Sequence, residues 1–514
     1  MSQIETSTGK VQGAERDGIE VFKGIPYAAP PVGELRWRSP QAHPGWSGVL
    51  QATDYSPISW QSINEAGGVL SFDPNNKPEL SEDCLTLNIW TPSTDSEKRP
   101  VLFWIHGGGF VGGSGSSLIY DGSRLGQRGD VVVVSINYRL GALGFVNLAE
   151  VTGGRIPASG NEGLEDQVFA LKWVRDNIER FGGDPSNITI FGESAGGMSV
   201  GALMAFPAAK GLFHKAIPQS GACHTAINLS QATNIAEKLM SKLGVSPNKD
   251  VQTLIEMPAS QITEQGQILA AEDNGVGMIF QPCVDGNVLP KLPIDSVKQG
   301  SADDVAVLAG ATRDEWRLFV SMTPGIANMT EDQLRSQLQN DPQNDLSPMI
   351  EPYRDMLTSI GHDASPVAIH SAIQSERAFR IPAIRLAEAM SDRGCDTYEY
   401  LFTVESPAMK GILGSCHAID IGYVFGSHTA NKGTSTFFGG EDEHKQLAET
   451  VMDTWLSFAR TGRPNDPLTD WQPYDRENRS TGVFGLPATV ENDPYGEVRA
   501  LWDQLESESP IGTF

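Results

Sequence analysis

This chain predicts an α/β architecture on a large, mostly parallel sheet, and three observations carry that reading. Short apolar runs rich in β-branched residues recur: VLFWI (101–105), VVVVSIN (131–137), ITIF (188–191), KAIP (215–218) and DVAVLAG (304–310). Their hydrophobicity is continuous rather than alternating, as strands buried on both faces require. Helical patterns lie between them, and strands alternating with helices build parallel sheets.

Each element has its own warrant. Leu164, Val168, Leu171, Val174, Ile178 and Phe181 step by 4, 3, 3, 4 and 3, which puts one apolar stripe on a helix. Gly182 and Gly183 stop that helix and Pro185 prevents its resumption. The run AGGMSVGALMAF after ITIF is helix-compatible, and TYEYLFTV reads as a later strand. A second clear helix carries Leu447, Val451, Trp455 and Phe458 and ends at Gly462, with Pro464 beyond. Residues 222–300 and 313–395 read as helices and loops inserted over the sheet. No Gly/Ser linker divides the chain, so residues 1–514 are read as one elaborated domain.

Composition narrows the function classes. Net charge is −26, from 64 acidic against 38 basic residues, and such a field repels phosphate backbones and anionic membranes. Nucleic acid and membrane surfaces are therefore not expected partners. The acidic residues are dispersed, which suits solubility rather than an interaction tail. Five scattered cysteines (Cys84, Cys223, Cys283, Cys395 and Cys416) contain no C-x-x-C pair, so neither a disulfide framework nor a zinc ribbon is indicated. The first residues hold no apolar signal core and no 18-residue apolar run occurs, so a cytoplasmic protein is expected.

Two motifs carry chemistry. HGGGFVGG (106–113) fits both a dinucleotide loop and an oxyanion loop, since Gly107, Gly109 and Gly112 spell G-x-G-x-x-G. A dinucleotide loop needs a helix directly behind the glycines and an acidic residue closing the next strand. Here loop residues GGSGSSLIYDGS follow, and Asp130 precedes the next strand instead of closing it. The oxyanion reading therefore stands. GESAGG (192–197) places Ser194 in a G-x-S-x-G turn between a buried strand and a helix, where glycines two before and two after allow a tight elbow.

A serine nucleophile needs a base and an orienting acid, in the chain order Ser, acid, His for this kind of turn. The downstream histidines are His362, His370, His417, His428 and His444, and His417 alone sits in a Gly/Ser-containing loop just after a strand. For the acid, the strand DVAVLAG runs into ATRDEW, so Asp314 and Glu315 are both candidates.

With these residues in place, the chain resembles the type-B carboxylesterases, the para-nitrobenzyl esterase and cholinesterase-like branch of the α/β-hydrolase superfamily. The matching motifs are FKGIPYAAPPVGELRWRSP, SEDCLTLNIW, HGGGF, NYRLGALGF, GNEGLEDQVFALKWVRDNIERFGGDPSNITIFGESAGG, QSG, RDE, CHAIDIGYVFG and WLSFARTGRPN, spread over about residues 20–465. The resemblance implies the α/β-hydrolase fold, with helical insertions covering an active-site gorge. It implies Ser194 as nucleophile, Glu315 as acid, His417 as base, and an oxyanion hole from Gly108, Gly109 and Ala195. Glu193 and Ser220 match positions around that triad, while Arg36 with Glu82 and Arg139 with Asp166 match structural ion pairs.

Departures from the family pattern are also informative. Cys84 matches one end of a common disulfide, but Ser59 stands where its partner is expected, so a free buried thiol is predicted. FDPNN (72–76) lacks the tryptophan of choline-binding members. Trp316 and Ala418 stand where glycine is commonest in the family. Candidates for the gorge wall are Phe110, Phe280, Trp316, Leu318 and Phe319. The expected activity is hydrolysis of a small-molecule ester with short to medium chains, needing no metal or organic cofactor. Hydrolysis of an amide, a carbamate or a specialised natural-product ester on the same triad, and a non-catalytic adhesion or scaffold role, are the alternatives.

Overall fold

The structure is a computed structural model that describes residues 2–63, 77–246, 251–272, 278–323, 325–341 and 344–505. Its centre is an 11-stranded sheet. Seven neighbouring strands run parallel, in the order Ser480–Phe484, Thr397–Phe402, Ala306–Thr312, Lys215–Gln219, Gly183–Glu193, Arg99–Ile105 and Val132–Ile136. Thr489–Asn492 closes one edge antiparallel, and Thr86–Thr91, Ile19–Pro26 and Ala14–Arg16 extend the other in the same way. Each apolar run read as a strand lies in one of the seven.

Alternation along the strands fills two cores, one on each face. Val101, Phe103 and Ile105 point into one cluster, and Leu102 and Trp104 into the other. Helix Glu162–Asn177 covers the first face, and Gly182 caps its 3₁₀ extension at φ 77°. Gly183 opens the next strand rather than serving as a second stop, because Asp184 and Pro185 already belong to that strand. Helix Ala195–Ala205 is buried along its whole length. On the other face, helix Asp442–Thr461 buries Leu447, Val451, Trp455 and Phe458 and ends at Gly462 in the left-handed region.

Between residues 222 and 300, the described strands are the two-residue pairs Ile227–Asn228 and Cys283–Val284, and the rest is helix and loop. Residues 316–391 are helical with connecting loops and pack partly on a third apolar cluster around Leu334, Tyr353, Ile373 and Trp502. FDPNN (72–76) lies outside the described residues.

The two family ion pairs are structural in geometry. Arg139 meets both carboxylate oxygens of Asp166 at 2.8 and 2.7 Å, with both side chains buried. Arg36 makes two 2.6 Å bonds to Glu82 and donates to the carbonyls of Leu254, Ile255 and Met257. Both arginines thus bind distant segments together rather than facing the elbow.

Candidate active site

Strand Gly183–Glu193 ends at Ser194, whose backbone takes φ 59° and ψ −127° before helix Ala195–Ala205 begins. Strained dihedrals of this kind cost about 1–3 kcal/mol and persist only where the surroundings impose them. Here Ser194 N donates to Gln219 O at 2.9 Å, and Ser194 O accepts from Met198 N at 2.8 Å. A Cβ at Gly192 would lie 2.6 Å from Ile105 O, and one at Gly196 would overlap the same carbonyl. The two glycines therefore let the elbow sit directly against the neighbouring strand.

That neighbouring strand, Arg99–Ile105, leads straight into HGGG. A Cβ on Gly107 would lie 3.0 Å from the Ser194 Cβ, so the loop flanks the serine. Its shape is held from several sides. Tyr138 donates to His106 O at 2.8 Å and stacks on the His106 ring, and Gln61 exchanges two hydrogen bonds with Gly113. Burial lowers His106 to about 4, so its ring is neutral. The N–H groups of Gly108 and Gly109 have no acceptor among the described residues, and Ala195 opens its helix ahead of the first intrahelical bond. These are the donors an oxyanion hole needs.

The acid and the histidine come from the next pair of strands. Glu315 follows strand Ala306–Thr312, and its carboxylate is oriented at both oxygens. Thr312 N donates to Oε1 at 2.7 Å, and His417 Nδ1 lies 2.5 Å from Oε2. Asp314, the other candidate, turns away from the imidazole toward Ser415 and two arginines. Glu315 and His417 are both buried.

His417 Nε2 faces the elbow, where it meets Glu193 Oε1 at 3.1 Å, off the line of a good hydrogen bond. Glu193 is thus closer to His417 than its matched position implied. Nε2 makes no hydrogen bond to the Ser194 hydroxyl in this structure. Burial alone would lower His417, but the Glu193 and Glu315 carboxylates outweigh it and hold the imidazole above its ordinary range. Burial in turn raises Glu193, against the pull of His417.

Behind them, burial holds Asp420 up at about 6, and its Oδ2 accepts from Gln219 at 2.8 Å and Tyr400 at 3.0 Å. Ser220 is buried with φ 45°, and its N–H donates to Gly310 O at 2.8 Å.

The sequence matches the carboxylesterase family over residues 1–502. It is 38% identical to a para-nitrobenzyl esterase of Bacillus subtilis, covering 96% of this chain and 97% of that one. It is 34% identical to a phenmedipham hydrolase of Pseudarthrobacter oxydans, covering 93% and 94%. A solved carboxylesterase of Geobacillus stearothermophilus superposes with a TM-score of 0.87 at 37% identity, covering 98% of this chain and all of that one. The chain belongs to the carboxylesterase family. It has the α/β-hydrolase fold, and this carboxylesterase is an enzyme that hydrolyses carboxylic esters.

The surroundings of the site in this carboxylesterase differ from the wall expected in two places. Phe110 and Phe280 are core residues, 0% and 1% exposed, with Phe110 packed on Phe145. Trp316, Leu318 and Phe319 are half-buried on the short helix Trp316–Met322, in which no residue is fully buried. Phe319 lies 5.1 Å from the His417 ring, and Phe379 lies nearer at 4.8 Å. Phe379 carries no motif in the sequence. It reaches the histidine from the π-helical stretch Glu376–Arg380, which periodicity alone does not reveal.

Cys84 is a buried free thiol hydrogen-bonded by Ser59, and burial pushes its titration up. Ala418 takes φ 67°, which explains why glycine suits that position. No helix among the described residues is long and apolar enough to cross a membrane.

Proposed function

We propose that this carboxylesterase works by two-step acyl transfer, with Ser194 as nucleophile, His417 as general base and Glu315 as its orienting acid. The observation that carries the assignment is the buried 2.5 Å contact between His417 Nδ1 and Glu315 Oε2, with Nε2 turned toward the elbow of Ser194.

In the first step Ser194 Oγ bonds to the ester carbonyl carbon while its proton passes to His417 Nε2. The carbonyl oxygen becomes an oxyanion held by the N–H groups of Gly108, Gly109 and Ala195. Collapse breaks the bond to the alcohol oxygen, which takes the proton from His417. Water then gives a proton to His417 as its oxygen bonds to the acyl carbon; collapse breaks the bond to Ser194 Oγ, which takes that proton back as the acid leaves. Glu315 stabilises the imidazolium formed in each step.

The alternating proton transfers run through Nε2, which Glu193 Oε1 approaches without a hydrogen bond. Phe319 and Phe379 crowd the imidazole, which favours small-molecule esters of short to medium chain length.

A para-nitrophenyl ester series from about two to sixteen carbons tests the reading, with Ser194→Ala as control. The expected result is highest kcat/KM at short to medium chains and no turnover above background in Ser194→Ala. Wild-type turnover in that variant would overturn the mechanism. A profile rising toward sixteen carbons would overturn the chain-length assignment alone.

A further inference from the structure

We propose that Asp314 is a positioning residue that holds the loop of His417 in register with Glu315. The inference rests on the roles assigned to His417 and Glu315 above. Asp314 is 6% exposed, and its backbone and side chain both grip the loop two residues before the histidine. Its N–H donates to Ser415 O at 2.9 Å, and its Oδ2 accepts from Ser415 N at 2.9 Å. One residue on, His417 N donates to Glu315 O at 3.3 Å. The segments 313–315 and 415–417 therefore run as a short bonded pair, and the Glu315–His417 contact is its side-chain rung.

Strand Thr397–Phe402 anchors the same unit. Arg313 N and Ser415 Oγ both donate to Phe402 O, at 2.9 and 2.8 Å. A single carbonyl at the strand end thus sets both segments.

The carboxylate is itself immobilised. Arg313 donates to Oδ2 through Nε at 3.0 Å and Nη2 at 2.7 Å, and Arg317 Nε lies 3.6 Å from Oδ1. Burial alone would raise this carboxyl, yet the two guanidinium groups turn it below the usual range. The loop packs so closely that a Cβ at Gly414, where φ is 58°, would lie 2.6 Å from Asp314 Oδ2.

Asp314, His362 and Glu405 also bring three ligand atoms near one another. Arg313 bonds to both Asp314 and Glu405, so it already supplies the countercharge that a cation would.

Two consequences follow from removing the charge at Asp314. The histidine loop loses its fixed register, and a misplacement of about 1 Å costs roughly 100-fold in rate. Arg313 and Arg317 are left without their shared carboxylate, each two residues from Glu315. Their positive charge then disfavours the imidazolium and lowers the titration of His417.

The test compares Asp314→Asn with Glu315→Gln, using kcat, KM and the pH profile on a para-nitrophenyl ester. For Asp314→Asn the expected outcome is a melting temperature near wild type, KM within about twofold, kcat down roughly 10- to 100-fold, and an acid limb moved to lower pH. Wild-type kcat and acid limb in a folded Asp314→Asn overturn the proposal, provided Glu315→Gln is impaired. Wild-type activity in Glu315→Gln instead overturns the triad assignment beneath it. Loss that appears only in KM or only in thermal stability makes Asp314 structural and also overturns it. Should Asp314→Asn fail to fold, Arg317→Gln removes one of the two clamps at a partly exposed side chain. The expected result there is a kcat loss of about 3- to 10-fold with the acid limb moved to higher pH, because a positive charge is lost while Asp314 keeps its own, and an unchanged kcat and limb overturn the proposal.

Discussion

Replacing Glu193 by glutamine removes a buried carboxylate 3.1 Å from His417 Nε2, the proposed acceptor of the serine proton. At that distance, and with an effective dielectric of about 20, a full charge on each partner interacts by about 5 kcal/mol. Glu193 is itself pushed up by burial, so near neutrality it carries only part of a full charge and only part of that energy is realised. An opposite charge at close range characteristically moves a titration by about 1–3 units, and this is the shift expected for His417.

The sign follows from the role of the base. His417 must be neutral to accept the proton, so kcat/KM rises as pH increases through its titration. Glu193 and Glu315 hold that titration above the ordinary imidazole range, and the wild-type enzyme is accordingly expected to favour alkaline pH. Without the Glu193 charge, the acid limb moves down by about 1–3 pH units. The alkaline plateau falls in the same variant, because the imidazolium of the transition state loses a neighbour. Each 1.4 kcal/mol of that loss lowers the plateau by about tenfold.

The two effects oppose each other at low pH, where the variant keeps more of its base neutral. Its deficit therefore narrows steadily as pH falls. The assay is kcat/KM for a para-nitrophenyl ester between about pH 5 and 10 at fixed ionic strength, read at the isosbestic wavelength. An acid limb that coincides with wild type, or moves to higher pH, refutes the reasoning.

Arg139→Met strips the buried Asp166 of its guanidinium and leaves it only the residue-139 backbone N–H among the bonds described, and the expected loss of stability is about 3–5 kcal/mol in urea unfolding. A loss below about 1 kcal/mol would mean that water reaches the pair. Thiol titration of the native enzyme is expected to find Cys395 alone, since it is the only cysteine not fully buried, and all five after denaturation. A native count of zero, or a denatured count below five without reductant, contradicts the free-thiol assignment.

The legible parts of the site were those that a strand, a turn and a fixed chain order specify. Ser194 falls between a continuous apolar run and a helix, and the glycines around it have a steric reason. The choice between Asp314 and Glu315 was not legible from spacing, because both leave the same strand end and differ only in which way they turn. It took the bonds to Thr312 and Ser415 to separate a group that faces the imidazole from one that faces the loop.

Contacts between distant segments were the least legible. Glu193 and His417 are far apart in sequence, and nothing local to either announces a 3.1 Å approach. Phe110 misleads for a different reason. It follows HGGG directly, but its left-handed backbone, at φ 60°, accompanies a side chain buried in the core. Hydrophobic character alone could not tell that wall from the interior. Asp420 lies within the matched CHAIDIGYVFG stretch, so its position was visible although its bonds to Gln219 and Tyr400 were not.

Strand Lys215–Gln219 occupies a position whose importance its short length conceals. On one side, strands Gly183–Glu193 and Arg99–Ile105 present the attacking oxygen and the HGGG donors as one rigid half. On the other, strands Ala306–Thr312 and Thr397–Phe402 present the acid and base as a second half. The short strand is the seam between them: Gln219 O receives Ser194 N, Ser220 N reaches Gly310 O, and Gln219 Nε2 holds Asp420. The alignment of Ser194 and His417, the proposed nucleophile and base, is therefore inherited from backbone pairing in the middle of the sheet. The helices laid over the site can be recut to admit a different ester without disturbing that alignment, whereas a slip of one residue at the seam would separate two intact halves and silence both.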